Sequence, residues 1–117
     1  MSDERRREPR IDTLPLNLVV FDNLSGKILG TLANLSRSGL MVLADTQCDP
    51  GGTLQVDLRD SPSSDTPLLS LAFQVTWMSP ANTADSYWVG GRIIGIAEAD
   101  AAILHELLRK AESEAAD

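Results

Sequence analysis

The sequence predicts a mainly β domain, an antiparallel sandwich or barrel, completed by a C-terminal helix. Three observations predict it. Short apolar and β-branched stretches recur between turn sequences along most of the chain. One of them, Thr53-Leu54-Gln55-Val56-Asp57-Leu58, alternates strictly and puts Leu54, Val56 and Leu58 on one face, as in a half-buried strand. Near the end the apolar period lengthens, and Leu104, Leu107, Leu108 and Ala111 follow helical i, i+3, i+4, i+7 spacing.

The first ten residues are nearly all polar, contain Pro9 and show no apolar period, so they read as a mobile arm. Leu14-Pro-Leu-Asn-Leu-Val-Val-Phe21 reads as the first strand, Asp22-Asn-Leu-Ser-Gly26 as a turn, and Lys27 to Ala33 as the returning strand. A polar segment ending in Gly39 leads to a short strand, Leu40 to Ala44. Asp49-Pro-Gly-Gly52 is the strongest turn signal, and it precedes the alternating strand. Asp60 to Pro67 is a Ser/Pro-rich loop, and Leu68–Met78 and Tyr87–Ile96 form a strand pair around a polar connection. The helix begins at Ala97-Glu-Ala-Asp100, where Asp100 is favourable beside the positive end of the helix dipole. Its apolar stripe is expected to cover an open face or end of the barrel. The expected organisation is an arm over residues 1–13, a barrel with its helix over 14–112, and a frayed tail over 113–117.

The 117 residues suit one domain able to bury a core, and with aromatics at 4 % that core must be mostly Leu, Val, Ile and Ala. No window approaches the length of a membrane span, and the polar N-terminus lacks a signal-peptide core, so no membrane insertion is expected. Cys48 is the single cysteine, which excludes an intramolecular disulfide and suits a reducing cytoplasm.

Charge is unevenly placed. Four of the eight arginines lie in Arg5-Arg6-Arg7-Glu8-Pro9-Arg10, in a chain of net charge -7. An isolated basic run is often a solvated tail. An acidic body repels a phosphate backbone, so neither DNA nor RNA is an expected partner, whereas a small anion gripped by a local arginine cluster is compatible with that field. Catalytic readings find little support. His105 is the single histidine and falls beside the apolar stripe of the helix, and no His/Cys metal constellation exists. Cys48 and His105 lack an orienting third group, so the chain is not expected to be an enzyme.

Two motifs change the reading of the arginines: Arg6-x-x-x-Arg10 and, 24 residues after Arg10, Asn34-x-Ser36-x-x-Gly39. In both motifs, and in the Val89-Gly-Gly-Arg-Ile93 ending followed by a Leu-rich helix, the chain resembles the PilZ domain family, bacterial receptors for cyclic di-GMP. The resemblance covers nearly the whole chain. It implies a six-stranded antiparallel β-barrel of split-barrel or Greek-key type with a C-terminal helix. It also implies a cyclic di-GMP site made of Arg5, Arg6, Arg10, Asn34, Ser36, Gly39 and Trp77. The residue types suit such a ligand. Arginine pairs with the O6 and N7 acceptors of guanine and with phosphate, Asn34 can donate and accept at a base edge, and Ser36 adds a hydroxyl. Asn34 loses the charge that an Asp would offer to the N1 and N2 donors of guanine.

Gly39 is expected to take a positive φ or to allow close backbone approach, and its other reading is an ordinary turn glycine. Trp77 corresponds roughly to a position that stacks on guanine in some relatives, with core or rim packing as the other reading. Trp88 has no such counterpart and reads as structural, and Arg7 and Arg37 read equally well as surface charges. In the family an arginine at the position of Arg5 tends to accompany two mutually intercalated ligand molecules. No cofactor is implied beyond this ligand. The implied mechanism is an arm that closes over nucleotide and creates a surface for an unidentified protein effector. An adaptor that binds a protein without nucleotide is the alternative.

Overall fold

The computed structural model describes residues 10–116, with side chains described to Ala111. The elements are β1 (Ile11–Asp12), a 3-10 turn (Leu14–Leu16), β2 (Val19–Asp22), β3 (Lys27–Leu35), β4 (Gly39–Ala44), β5 (Thr53–Arg59), β6 (Leu69–Pro80), β7 (Tyr87–Gly95) and α1 (Glu98–Ala116). Every strand pairing is antiparallel. Six long strands run in the order β3-β2-β5-β6-β7-β4, and a β3–β4 pairing closes them into a barrel. The short β1 pairs with β3 beyond the end of the β2 pairing, Ile11 opposite Leu35 and Asp12 opposite Asn34.

Two local expectations are corrected. Leu14 to Leu16 do not extend the first strand. Pro15 lies in the first turn of a 3-10 helix, and Asn17 ends that helix in a left-handed conformation with φ 55°. Pro15 has no amide to give a ladder, so the strand starts at Val19. The arm also joins the barrel before residue 14: Ile11 and Asp12 are paired, and Thr13 is fully buried. The strand boundaries otherwise shift by one or two residues, while the helix runs on to Ala116, through most of the segment expected as a frayed tail.

The core is aliphatic, with Phe73 its largest fully buried side chain. Val20, Leu32, Leu35, Leu40, Val42, Val56, Leu58 and Val89 fill it, and the helix contributes Leu104 and Leu108. The expected stripe therefore does seal the barrel, with Leu107 packed at its edge. Val56 and Leu58 point inward as the alternation requires.

The surprise on β5 is Asp57, which faces away from the core and is still only 7 % exposed. Its Oδ1 accepts from Ser70 Oγ at 2.6 Å and from Asn23 Nδ2 at 3.0 Å, and its Oδ2 accepts from Arg59 Nη2 at 3.1 Å. The Arg59 guanidinium also donates to the Ser64 carbonyl at 2.8 Å and lies 4.0 Å from the centroid of the Phe21 ring. This network ties the Ser/Pro-rich loop and the 22–26 turn to the sheet. Burial pushes the Asp57 carboxyl up, but hydrogen bonds from Ser70, Asn23 and Arg59, with the Arg59 charge, hold it below the usual carboxylate range.

A lowered folded-state pKa contributes stability that is fully present above the unfolded value of about 3.9 and is lost as pH falls through the folded one. Asp57→Asn is expected to cost about 2–3 kcal/mol at pH 7 and to flatten the loss of stability below about pH 4. Urea unfolding at pH 7 and pH 3 measures both effects. Equal pH dependence in the two proteins would contradict this account of Asp57.

Candidate ligand site on the barrel surface

On a regular strand Leu32 and Asn34 would share a face, and a core-facing Leu32 would carry Asn34 inward. The register prevents this. Leu32 pairs with Val42 and Asn34 with Met41, so Ala33 is one extra residue on β3, a β-bulge. Leu32 and Leu35 can then both be fully buried while Asn34 turns outward. Thr13 pins the bulge. Its hydroxyl donates to the Leu32 carbonyl at 2.9 Å, and its amide donates to the Ala33 carbonyl at 3.0 Å.

A second bulge acts alike on β6. Val75 pairs with Gly91 and Trp77 with Gly90, leaving Thr76 as the extra residue, its hydroxyl on the Gly90 carbonyl at 3.2 Å. Trp77 faces outward, 41 % exposed, and its indole lies over Gly90, where any Cβ would collide with the ring. Asn34, Met41, Gly90 and Trp77 thus stand in one cross-strand row over β3, β4, β7 and β6.

The β3–β4 connection sets the end of this row. Ser36 is buried, its amide donates to the Gly39 carbonyl at 2.8 Å, and its Oγ accepts the Gly39 amide at 3.1 Å and donates to the Gly39 carbonyl at 3.2 Å. Ser36 therefore shapes the loop, and the Ser38 carbonyl accepts the Ile93 amide at 2.7 Å, tying the loop to β7. Gly39 is not among the glycines of positive φ. The close approach it permits is to protein: a Cβ at Gly39 would lie 2.9 Å from the Gly91 carbonyl oxygen and 3.9 Å from Arg10 Nη2.

Arg10 completes the group. Residue 10 leads into β1, and its Nη1 reaches Asn34 Oδ1 at 3.4 Å across 24 residues of sequence. The Asn34 amide points the other way, toward Met41 Sδ at 3.8 Å. A groove of about 280 Å³ opens here, lined by Arg10, Asp12, Leu14, Asn34, Met41 and Trp88 among others. Arg37 and Arg92 are exposed nearby, Arg92 directly opposite Gly39 in the sheet. The Arg10 guanidinium beside an apolar floor suits a planar, anionic ligand.

Of the residues expected to form the site, Arg10, Asn34, Ser36 and Gly39 are brought together, Trp77 shares the row with Asn34, and Arg5 and Arg6 lie outside the described residues, as does Arg7. Beyond Arg10 and Asn34 the groove residues carried no sequence expectation of a ligand role, Asp12, Met41 and Trp88 among them. Alternation offered a signal for two of them, since outward Met41 and Trp88 flank inward Val42 and Val89.

A small closed barrel with a charged surface groove defines a binding domain. No curated protein matches the chain significantly, but the model of the PilZ domain matches residues 4–110. The chain belongs to the PilZ family, whose domains are commonly cyclic di-GMP receptors and typically non-catalytic. Its fold is similar to the PilZ domain with c-di-GMP of YcgR from Escherichia coli, at TM-score 0.69 and 18 % identity over 95 % of this chain and 94 % of that one. It is similar also to YcgR in complex with c-di-GMP from the same organism, at TM-score 0.70 and 19 % identity over 95 % of this chain and 47 % of that one. The Bacillus subtilis inhibitor of motility (MotI/DgrA) matches at TM-score 0.67 and 21 % identity, over 91 % of this chain and 50 % of that one. The chain thus spans about half the length of the last two. Among the described residues no helix is long and apolar enough to cross a membrane.

Thr13→Val keeps the shape of the side chain and removes the hydroxyl that satisfies the buried Leu32 carbonyl. The expected loss is about 1–3 kcal/mol in chemical denaturation, with a displaced Asn34 amide resonance. A variant of unchanged stability and spectrum would show that Thr13 does not hold the bulge.

Proposed function

We propose that this chain is a cyclic di-GMP receptor. Nucleotide lies on the row headed by Asn34, and the arginine arm closes over it. The observation that carries the reading is that the Arg10 guanidinium lies beside both Asn34 and Gly39, which unites the second arginine of one motif with the first and last residues of the other. Ser36 acts by holding the loop that presents them. Trp77, already flat on Gly90 and partly exposed, offers a stacking surface at the far end of the row.

The magnitudes explain why two motifs are required. Ordering about five arm residues costs roughly 5–10 kcal/mol of backbone entropy. Charge-assisted hydrogen bonds contribute roughly 1.5–3 kcal/mol each, so several arginine contacts plus base stacking are needed for micromolar affinity. Arg6 and Arg10 grip together, and Arg5 extends the grip to a second, intercalated nucleotide. The closed arm and bound nucleotide form a new face for a protein effector.

Titration calorimetry with cyclic di-GMP is expected to show saturable binding, abolished by Arg6→Ala or Arg10→Ala with thermal stability within about 0.5 kcal/mol of the parent, as for surface substitutions. No saturable binding by the parent at tens of micromolar would overturn the reading and favour a protein-binding adaptor. The stoichiometry at saturation is expected to be two nucleotides per chain. A fitted value of one would remove the second ligand and the role given to Arg5.

A further inference from the structure

Asn34 is a poor reader of the guanine N1–H and N2–H2 donors in this groove. Its Oδ1 already faces the Arg10 guanidinium at 3.4 Å, and its amide group is turned to Met41 Sδ. Guanine carries N1–H and N2–H2 donors that adenine lacks, and arginines at phosphate and at O6/N7 leave those donors unread. One other side chain in the groove can accept them. Asp12 is the cross-strand partner of Asn34 in the β1–β3 pairing, and opposite residues of an antiparallel pair project on the same face. It is exposed and lines the groove together with Arg10, Asn34, Met41 and Trp88. Its carboxylate is oriented, because Oδ1 accepts the Leu14 amide at 3.1 Å. A carboxylate offers about four lone-pair sites, so Oδ2 remains an acceptor for a ligand.

We propose that Asp12 is the specificity-determining residue of this site: it accepts the N1–H and N2–H2 donors of a guanine lying on Met41 and the Trp88 indole, and thereby restores the acceptor charge that Asn34 lacks. This rests on the reading of the groove as a cyclic di-GMP site. Arg10 and Asp12, two residues apart in sequence, then grip the same nucleotide by opposite chemistries, the cation at phosphate or O6/N7 and the anion at the donor edge. The short strand β1 is what holds both in place.

Asp12→Asn is the test, because its side-chain oxygen keeps the Leu14 contact while the acceptor facing the groove becomes a donor. The probes are cyclic di-GMP and its inosine analogue, cyclic di-IMP, which lacks the N2 amine, each titrated into the full chain. The parent is expected to prefer cyclic di-GMP by about 10-fold or more, since a hydrogen bond to a charged group is worth roughly 10- to 100-fold in affinity. Asp12→Asn is expected to lose about 10- to 100-fold for cyclic di-GMP and to bind the two nucleotides within about threefold of each other. Merely structural damage would weaken both equally and leave the preference intact, which would overturn the assignment. Parent-like affinity of Asp12→Asn for cyclic di-GMP would also overturn it while leaving the receptor reading standing. Absence of binding by the parent would overturn both.

Discussion

The bulge at Ala33 sets the position of Asn34, the residue around which the candidate site is arranged. It lets two leucines three residues apart, Leu32 and Leu35, enter the same core while the residue between the bulge and Leu35 faces solvent. Without it, strict alternation would turn Asn34 into an aliphatic interior, where an unpaired amide costs several kcal/mol. The same segment is paired on both edges, with Met41 and Leu40 on one side and Asp12 and Ile11 on the other. Barrel closure and the landing of the N-terminal segment thus meet at two residues of β3. Arg10 reaches Asn34 because β1 docks there, and β1 docks beside the bulge whose carbonyls Thr13 takes up.

Trp77 reaches the surface by the same device. The extra residue Thr76 turns the indole outward and lets Val75 and Met78 face the interior side. Bulges cost ladder hydrogen bonds and persist where they re-aim a side chain. Here two of them aim Asn34 and Trp77 onto one row, with Gly90 between Met41 and the indole because no side chain fits beneath the ring. The row is therefore a product of register as much as of residue type.

Much of this was legible in the sequence. The alternation at 54–58, the turn sequences and the helical spacing at 104–111 located the strands and the sealing helix, because burial on one face leaves a period. Motif spacing located Arg10, Asn34 and Gly39. What was not legible depended on interactions between elements. The apolar run from Leu14 read as strand, but Pro15 and the left-handed Asn17 turn it into a 3-10 helix. Asp57 sits on the outward face by alternation, and its burial arises from Asn23 and Ser70 on two other stretches of chain together with Arg59 of its own strand. Alternation put Trp88 on the outward face, but its place in a groove was not legible, since the groove exists only once β1 lies against β3.

The central claim is that ligand enters at the meeting of β1, β3 and β4. The most direct measurement is the backbone amide spectrum of the full chain titrated with cyclic di-GMP. The account predicts large shifts confined to residues 5–13, 33–41, 77 and 88–92. Shifts centred instead on the groove between Leu68 and the helix residues Ile103 and Leu107, with residues 33–41 unmoved, would contradict it.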